Sequence, residues 1–254
     1  YDSAAVDYVL IAGMTLSGVS FLVHYRVVTG DIRALWDRSE VRWWWLLIVI
    51  LIAIVMWETT RMGSSPDLPE ERLRTSWFQV TAILTTTGYA TQDIGSSYFG
   101  VAAKQLFLLM MIIGGCSGST GGGFKVIRLV LLGKMFSRLL FRISSPRAAR
   151  TGVIYSGELV DDKELARVAA LFFAWLALLV VGGLITALLS SYDPLAAISG
   201  MFSALGNIGP CYIPGPEMSE LHGAIKGTYM VGMLAGRLEI LPVVLLLSRR
   251  AWRG

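Results

Sequence analysis

Apolar residues run almost unbroken over positions 3–25, 43–57, 98–113 and on through 124–141, 164–189, and 221–247. An α-helix needs ~20 apolar residues to cross the hydrocarbon layer of a bilayer, so the pattern predicts roughly five membrane crossings. Two further stretches, 73–87 and 194–205, have helical period, are only half apolar and end in a Gly turn. Neither is long enough to span, and both predict short helices that enter the membrane and turn back. The third crossing is interrupted over 114–123 by Gly, Ser, Thr and Cys alone. Each Gly costs ~1 kcal/mol against Ala inside a helix, so this crossing is expected to be a broken helix.

Composition agrees with a polytopic membrane protein. Hydrophobic residues make up 54% and charged residues 16% of the 254 positions, where a soluble domain carries ~25% charged residues, and the mean hydropathy is +0.61. The charge is bunched: Arg26, Arg33, Arg38 and Arg42 follow the first crossing, Lys134, Arg138, Arg142, Arg147 and Arg150 the third, and Arg249, Arg250 and Arg253 the last, while 190–219 holds no Lys or Arg. By the positive-inside rule the basic loops are cytoplasmic and both short helices enter from outside. Ser96 and Glu217 are then exterior, and Arg33, Arg147 and Arg250 cytoplasmic. The net charge of +4 marks one membrane face and gives no reason to expect nucleic acid. Trp43, Trp44 and Trp45 beside Arg42 read as an interfacial aromatic belt. Cys116 and Cys211 supply no disulfide framework and no metal spacing. The chain begins at Tyr1 without a charged stretch ahead of an apolar core, so no signal peptide is expected and the chain reads as a piece of something longer.

An internal repeat organises the rest. Displacing the chain by 121 residues sets Ile83-Leu84-Thr85-Thr86-Thr87-Gly88 on Ala204-Leu205-Gly206-Asn207-Ile208-Gly209, Gly115-Cys116 on Gly236-Arg237, and Val126-Ile127-Arg128 on Leu247-Ser248-Arg249. The unit is span, short helix, Gly turn, span. It divides the chain into 1–41, the last helix of a preceding unit with its cytoplasmic loop; 42–160, one full unit; and 161–254, a second. The match fails between 58–74 and 179–193. Parallel repeats of this kind build a central site between them. A helix that stops inside a membrane leaves backbone groups unsatisfied, which is tolerated only in protein or beside a water-filled cavity. Thr85-Thr86-Thr87-Gly88-Tyr89-Ala90-Thr91 supplies carbonyls that could replace the hydration shell of an alkali cation, as carbonyl rings do in selectivity filters. The alternative is a helix ending at a Gly C-cap with an ordinary exterior turn.

The Gly-rich break reads as a mobile loop lying across the pathway, or as a small-residue face for tight helix packing. A phosphate-binding loop is excluded, because Phe124 separates Gly123 from Lys125 and no Ser or Thr follows the lysine. Gly115-Cys116-Ser117-Gly118 also fits G-x-S-G, so an intramembrane serine protease is a rival, one that needs His24 or His222 within reach of Ser117. Those histidines lie at opposite ends of the molecule in this topology and read as interfacial. A noncatalytic helical scaffold is a further alternative. Arg237, midway along the last span, is a charge at depth and marks either a cavity or a site held by neighbouring helices. Glu239 points to another helix face and is not expected to partner it; Arg128 is expected to snorkel to the cytoplasm.

The segments Thr86-Thr87-Gly88-Tyr89-Ala90-Thr91, Gly114-Gly115-Cys116-Ser117-Gly118-Ser119-Thr120-Gly121-Gly122-Gly123-Phe124-Lys125-Val126-Ile127-Arg128, Gly206-Asn207-Ile208-Gly209-Pro210 and Gly236-Arg237-Leu238-Glu239 resemble the Trk/Ktr/HKT superfamily of potassium transporters, nearest to its bacterial TrkH-type subunits. The resemblance covers essentially the whole chain. It implies an all-α membrane protein of repeated membrane-pore-membrane units, pseudo-symmetric about a central ion pathway, of which this chain holds the end of the second unit and all of the third and fourth. It implies potassium uptake across the bacterial plasma (inner) membrane, no enzymatic activity, no cofactor in this chain, and K⁺ bound only at the filter. The implied filter is Thr86, Thr87, Gly88 and Tyr89 with Asn207, Ile208, Gly209 and Pro210. The implied gate is Gly114, Gly115, Cys116, Ser117, Gly118, Ser119, Thr120, Gly121, Gly122 and Gly123 with Lys125 and Arg237. Membrane lipid, a second copy in a homodimer, and a cytosolic nucleotide-binding (TrkA-like) regulatory subunit are the implied partners. The chain departs from the family in its length and at Cys211, where another Gly is common.

Overall fold

The computed structural model describes residues 3–37, 39–63, 68–144, 151–240 and 242–243. The chain folds into α1 (Ala4–Ser17), α2 (Phe21–Val28), α3 (Ala34–Asp37), α4 (Ser39–Met62), α5 (Pro69–Leu84), α6 (Val101–Ile112), α7 (Val126–Ser144), a hairpin of β1 (Ile154–Tyr155) and β2 (Glu158–Leu159), then α8 (Asp162–Leu189), α9 (Pro194–Gly206), α10 (Gly215–Met218) and α11 (Gly223–Leu238). Arg38, Arg147, Arg150, Arg249, Arg250 and Arg253, which carry part of the predicted topology, lie outside the described residues, as does the far end of the last crossing.

Local signals account for the helix starts. Pro69 and Pro194 each occupy a first-turn position, where the missing N–H costs nothing. Asp193 caps α9 by accepting from Leu195 N (3.2 Å) and Ala196 N (3.4 Å), and Asp161 caps α8 through Lys163 N at 3.3 Å.

The short helices α5 and α9 form the buried centre. In α5, Thr75, Ser76 and Phe78 through Leu84 are all buried; in α9 the same holds for Ser199 to Met201 and Ser203 to Gly206. α5 packs against α1, α4 and α6, and α9 against α8, α11 and α6. The flanking helices turn apolar side chains outward instead, Val49, Ile54, Val181 and Leu188 among them. That is the arrangement a bilayer stabilises, with lipid covering the outer surface and polar backbone held inside.

Of the expected crossings, α4 and α8 are unbroken helices long and apolar enough to span. The first is not one helix: α1 and α2 meet at a 106° bend across residues 18–20. The break is a docking point, since Gly18 O accepts from Cys116 N at 2.8 Å. The third crossing is broken between α6 and α7, as the Gly run predicts, and α11 ends at Leu238 before Glu239 takes φ +64. The tryptophan belt is corrected. Trp44 is fully buried, Trp45 is half-buried with Nε1 donating to Leu35 O at 3.1 Å, and Trp43 alone is exposed. Three consecutive helical residues are spread over about 200° of the helix surface and cannot share one face.

Candidate functional site

The two Gly turns are built alike. α5 closes at Thr85, after which Thr86 takes φ +54 and Gly88 φ +76; at the positions 121 residues on, Asn207 takes φ +57 and Gly209 φ +114. The hydrogen bonds agree as well, Thr87 N donating to Ala82 O and Ile208 N to Ser203 O, both at 3.0 Å. Each is a helix C-terminus closed by a left-handed residue. Among the described residues, the carbonyls of 85–88 and 207–209 accept no hydrogen bond. Thr86, Thr87, Gly88 and Asn207 are half-buried and Gly209 is exposed, so their free carbonyls are open to water or to a cation, which such oxygens need.

The turns also touch. A Cβ built on Gly88 would lie 2.0 Å from Ile208 O and 3.3 Å from Pro210 Cδ, so the backbones meet at a distance that leaves no room for a side chain. Serines stiffen the second turn: Ser203 Oγ accepts from Gly209 N at 3.0 Å and Ser199 Oγ from Tyr212 N at 2.9 Å. In the first, Thr85 Oγ1 and Thr87 Oγ1 are 2.8 Å apart. Tyr89 and Pro210 continue outward from the turns; Tyr89 is 55% exposed. It lines a cavity of about 610 Å³ with Asp7, Arg74, Thr75, Thr91 and Gln92. Arg74 is ion-paired there with Asp7 from α1, both groups largely covered.

Residues 114–123 form a closed loop beneath the turns. Its neck is sealed by Phe124 N donating to Ile112 O and Gly114 N to Phe124 O, each 2.9 Å. One side lies in the α1–α2 break, through Cys116 N to Gly18 O and Phe21 N to Gly118 O at 2.9 Å. The other reaches both Gly turns: Gly122 N donates to Thr86 Oγ1 at 2.9 Å, and a Cβ on Gly122 would stand 2.8 Å from Gly206 O. Two cations hold successive loop carbonyls, Lys125 Nζ that of Gly121 and Arg237 Nη1 that of Thr120 at 2.9 Å. Glu40, from the first turn of α4, accepts from Ser117 N at 2.6 Å and Ile127 N at 3.3 Å.

Three sequence readings change here. Arg128 does not snorkel freely; its Nη2 is 2.6 Å from Glu239 Oε1, because the left-handed residue at Glu239 swings that carboxylate off the helical path. Arg237, read as a charge at depth facing a cavity or held by neighbouring helices, has a loop carbonyl, that of Thr120, as its partner, with Lys125 taking the next. The protease geometry does not form: His24 Nε2 lies 2.9 Å from Leu16 O and His222 Nδ1 accepts from Ala224 N at 3.2 Å, so among the described residues neither histidine engages Ser117, whose N–H belongs to Glu40.

Sequence reasoning passed over Glu40, Glu58, Ser199 and Ser203. Glu58, buried on α4, accepts from Ala102 N at 2.9 Å and Ala103 N at 3.0 Å and so caps α6 from a neighbouring helix. Acids flanking the predicted span 43–57, and serines four apart on one face of a short apolar helix, were the available signals.

Buried short helices ending in matched turns, with a Gly loop against them and apolar flanks, define a helical multi-pass membrane protein. A family model described as TrkH, cation transport protein, matches residues 1–252, and the chain belongs to that family. It is 27% identical over 258 residues to the Trk system potassium uptake protein TrkH of Salmonella typhimurium, covering 100% of this chain and 52% of that protein. To the TrkH protein of Halomonas elongata it is 31% identical over 254 residues, again with 100% and 52% covered; to the TrkI protein of the same organism it is 38% identical over 185 residues, 69% of this chain and 36% of the relative. The crystal structure of the potassium transporter TrkH from Vibrio parahaemolyticus superimposes with a TM-score of 0.86 at 29% identity, over 99% of this chain and 54% of that one. The chain thus spans about half the length of the curated relatives it matches, 52% for most of them.

Proposed function

We propose that this chain supplies the third and fourth membrane-pore-membrane units, 42–160 and 161–254, of a potassium uptake transporter of the bacterial inner membrane, with 1–41 closing the second unit. Four units surround one pathway pseudo-symmetrically, and K⁺ enters down it with no covalent chemistry. Thr86, Thr87, Gly88 and Tyr89 with Asn207, Ile208, Gly209 and Pro210 give half of a carbonyl filter, reached by two re-entrant helices. The loop 114–123, with Lys125 and Arg237, closes the pathway beneath it. A second copy and a cytosolic nucleotide-binding regulatory subunit are the partners, the latter facing the basic loops.

The observation that carries this reading is the pair of matched turns, apposed at Gly88 and Ile208, whose carbonyls meet no donor among the described residues. A cation is the natural partner of such oxygens, and K⁺ is the ion named for the relatives. The test is growth of a K⁺-uptake-deficient bacterium at low K⁺, with this chain expressed alone and joined to an upstream half. Restoration by the joined form is expected; no restoration, with the joined protein present in the membrane, overturns the reading.

A further inference from the structure

Among the described residues three charged side chains hold the loop 114–123, and two of them are cations. The third is Glu40, which neither the Gly turns nor the loop sequence points to. It is 7% exposed, and one oxygen, Oε1, takes the backbone N–H of Ser117 inside the loop and of Ile127 just beyond it. A carboxylate so placed ties the two limbs of the loop to each other and to the start of α4. Lys125 and Arg237 bind loop carbonyls from the opposite sign of charge, so donors and acceptors of the same short segment are both engaged by ionised groups. Charged partners make the stronger hydrogen bonds, most of all where water is scarce.

The internal repeat supplies a contrast. Displacement by 121 residues carries Glu40 to Asp161. Asp161 caps its own helix through Lys163 N at 3.3 Å, which is the ordinary task of an acid at that position. Residue 40 has one more methylene, lies inside the first turn of α4, and reaches 77 residues along the chain to Ser117. Glu40, at the end of segment 1–41, thus reaches into the following unit, the one that contains the Gly loop.

We propose that Glu40 is a positioning residue of the gate, its carboxylate holding the loop 114–123 in the closed arrangement by binding Ser117 N and Ile127 N. The inference rests on the gate reading of that loop. Loss of the charge loosens the loop on the α4 side while Lys125 and Arg237 still hold the far side, so the loop leaves the pathway more often and Cys116, now fully buried beside Ser117, becomes reachable.

The experiment uses the complete transporter in liposomes, with Cys116 as its one cysteine, and measures K⁺ flux per folded protein together with modification of Cys116 by a methanethiosulfonate reagent. Glu40→Gln keeps the size and one acceptor of the side chain and removes the charge; Glu40→Ala removes both. Deletion of Gly121 to Gly123 reports on the gate itself. Glu40→Gln is expected to raise flux roughly tenfold, the factor for one weakened charge-assisted hydrogen bond, and to speed Cys116 modification, with Glu40→Ala raising both further. Unchanged flux and labelling in Glu40→Gln, with the deletion leaky, overturns the role of Glu40 and leaves the gate standing. A deletion that raises no flux overturns the gate reading. Glu40→Ala that lowers abundance while flux per folded molecule and labelling stay at the wild-type level makes Glu40 a structural residue only.

Discussion

Gly88 and Ile208 meet backbone to backbone: a methyl group on the Gly88 Cα would lie 2.0 Å from the Ile208 carbonyl oxygen. These residues are far apart in sequence and follow different short helices, α5 and α9, so the contact fixes the spacing of the two turns. Gly209, the repeat counterpart of Gly88, has no atom near its missing side chain. Equivalent glycines thus carry unequal constraints, and they should respond unequally to substitution.

Gly88→Ala must both hold an alanine at φ +76 and push the second turn away, whereas Gly209→Ala meets only the backbone strain of φ +114, of order 1–3 kcal/mol. The larger fall in K⁺ over Na⁺ uptake, per folded transporter, is expected for Gly88→Ala. Equal losses would show that contact with Ile208 does not set the proposed filter.

Arg237→Ala frees Thr120 O and Lys125→Met frees Gly121 O. Each variant is expected to raise flux per folded transporter by roughly tenfold, for about 1.5 kcal/mol per lost charge-assisted bond, and the double variant to exceed either. Because Arg237 uses one nitrogen on one carbonyl, Arg237→Lys should retain part of the restraint. Flux at or below wild type in Arg237→Ala would remove Arg237 from the proposed gate.

Glu58 is the cap of α6, and its loss leaves the Ala102 and Ala103 N–H groups without their acceptor. Glu58→Ala should cost ~2–4 kcal/mol of stability, read as a lower melting temperature in detergent, with ion selectivity unchanged in what remains folded. Gly100→Ala should act in the same direction, since its Cβ would fall 2.4 Å from Glu58 Oε1.

The Asp7–Arg74 pair ties α1 to α5 with side chains only 11% and 16% exposed. Arg74→Gln takes from Asp7 its ion-pair partner and from Glu70 a second contact, and is expected to lower the melting temperature more than the Asp7→Asn, Arg74→Gln double variant. A double-mutant cycle on thermal unfolding measures the coupling, and additive effects would show the pair to be incidental.

Much of this was legible in the chain. Continuous apolar runs set the helices α4 and α8, because the length and composition of a span are local properties that the bilayer reads directly. The Gly run over 114–123 broke the third crossing because glycine makes helix expensive wherever it is placed. The 121-residue repeat marked Thr86 with Asn207 and Gly88 with Gly209, and their torsions agree because similar short helices ending in turn formers close in the same way. What the sequence could not determine was which group meets which. Trp44 reads like its neighbours Trp43 and Trp45 and is buried because α4 turns that face inward. The first run reads as one span and bends by 106° because Gly18 and Ser17 are drawn into the Gly loop a hundred residues on. Glu40 looks like a helix-start acid, Arg128 like a snorkelling base and Glu239 like a bystander; each found its partner on another helix. Apolar patterning acts along the chain and can be read there, whereas a buried charge takes whichever partner packing brings within hydrogen-bond reach, and only the tertiary structure decides that.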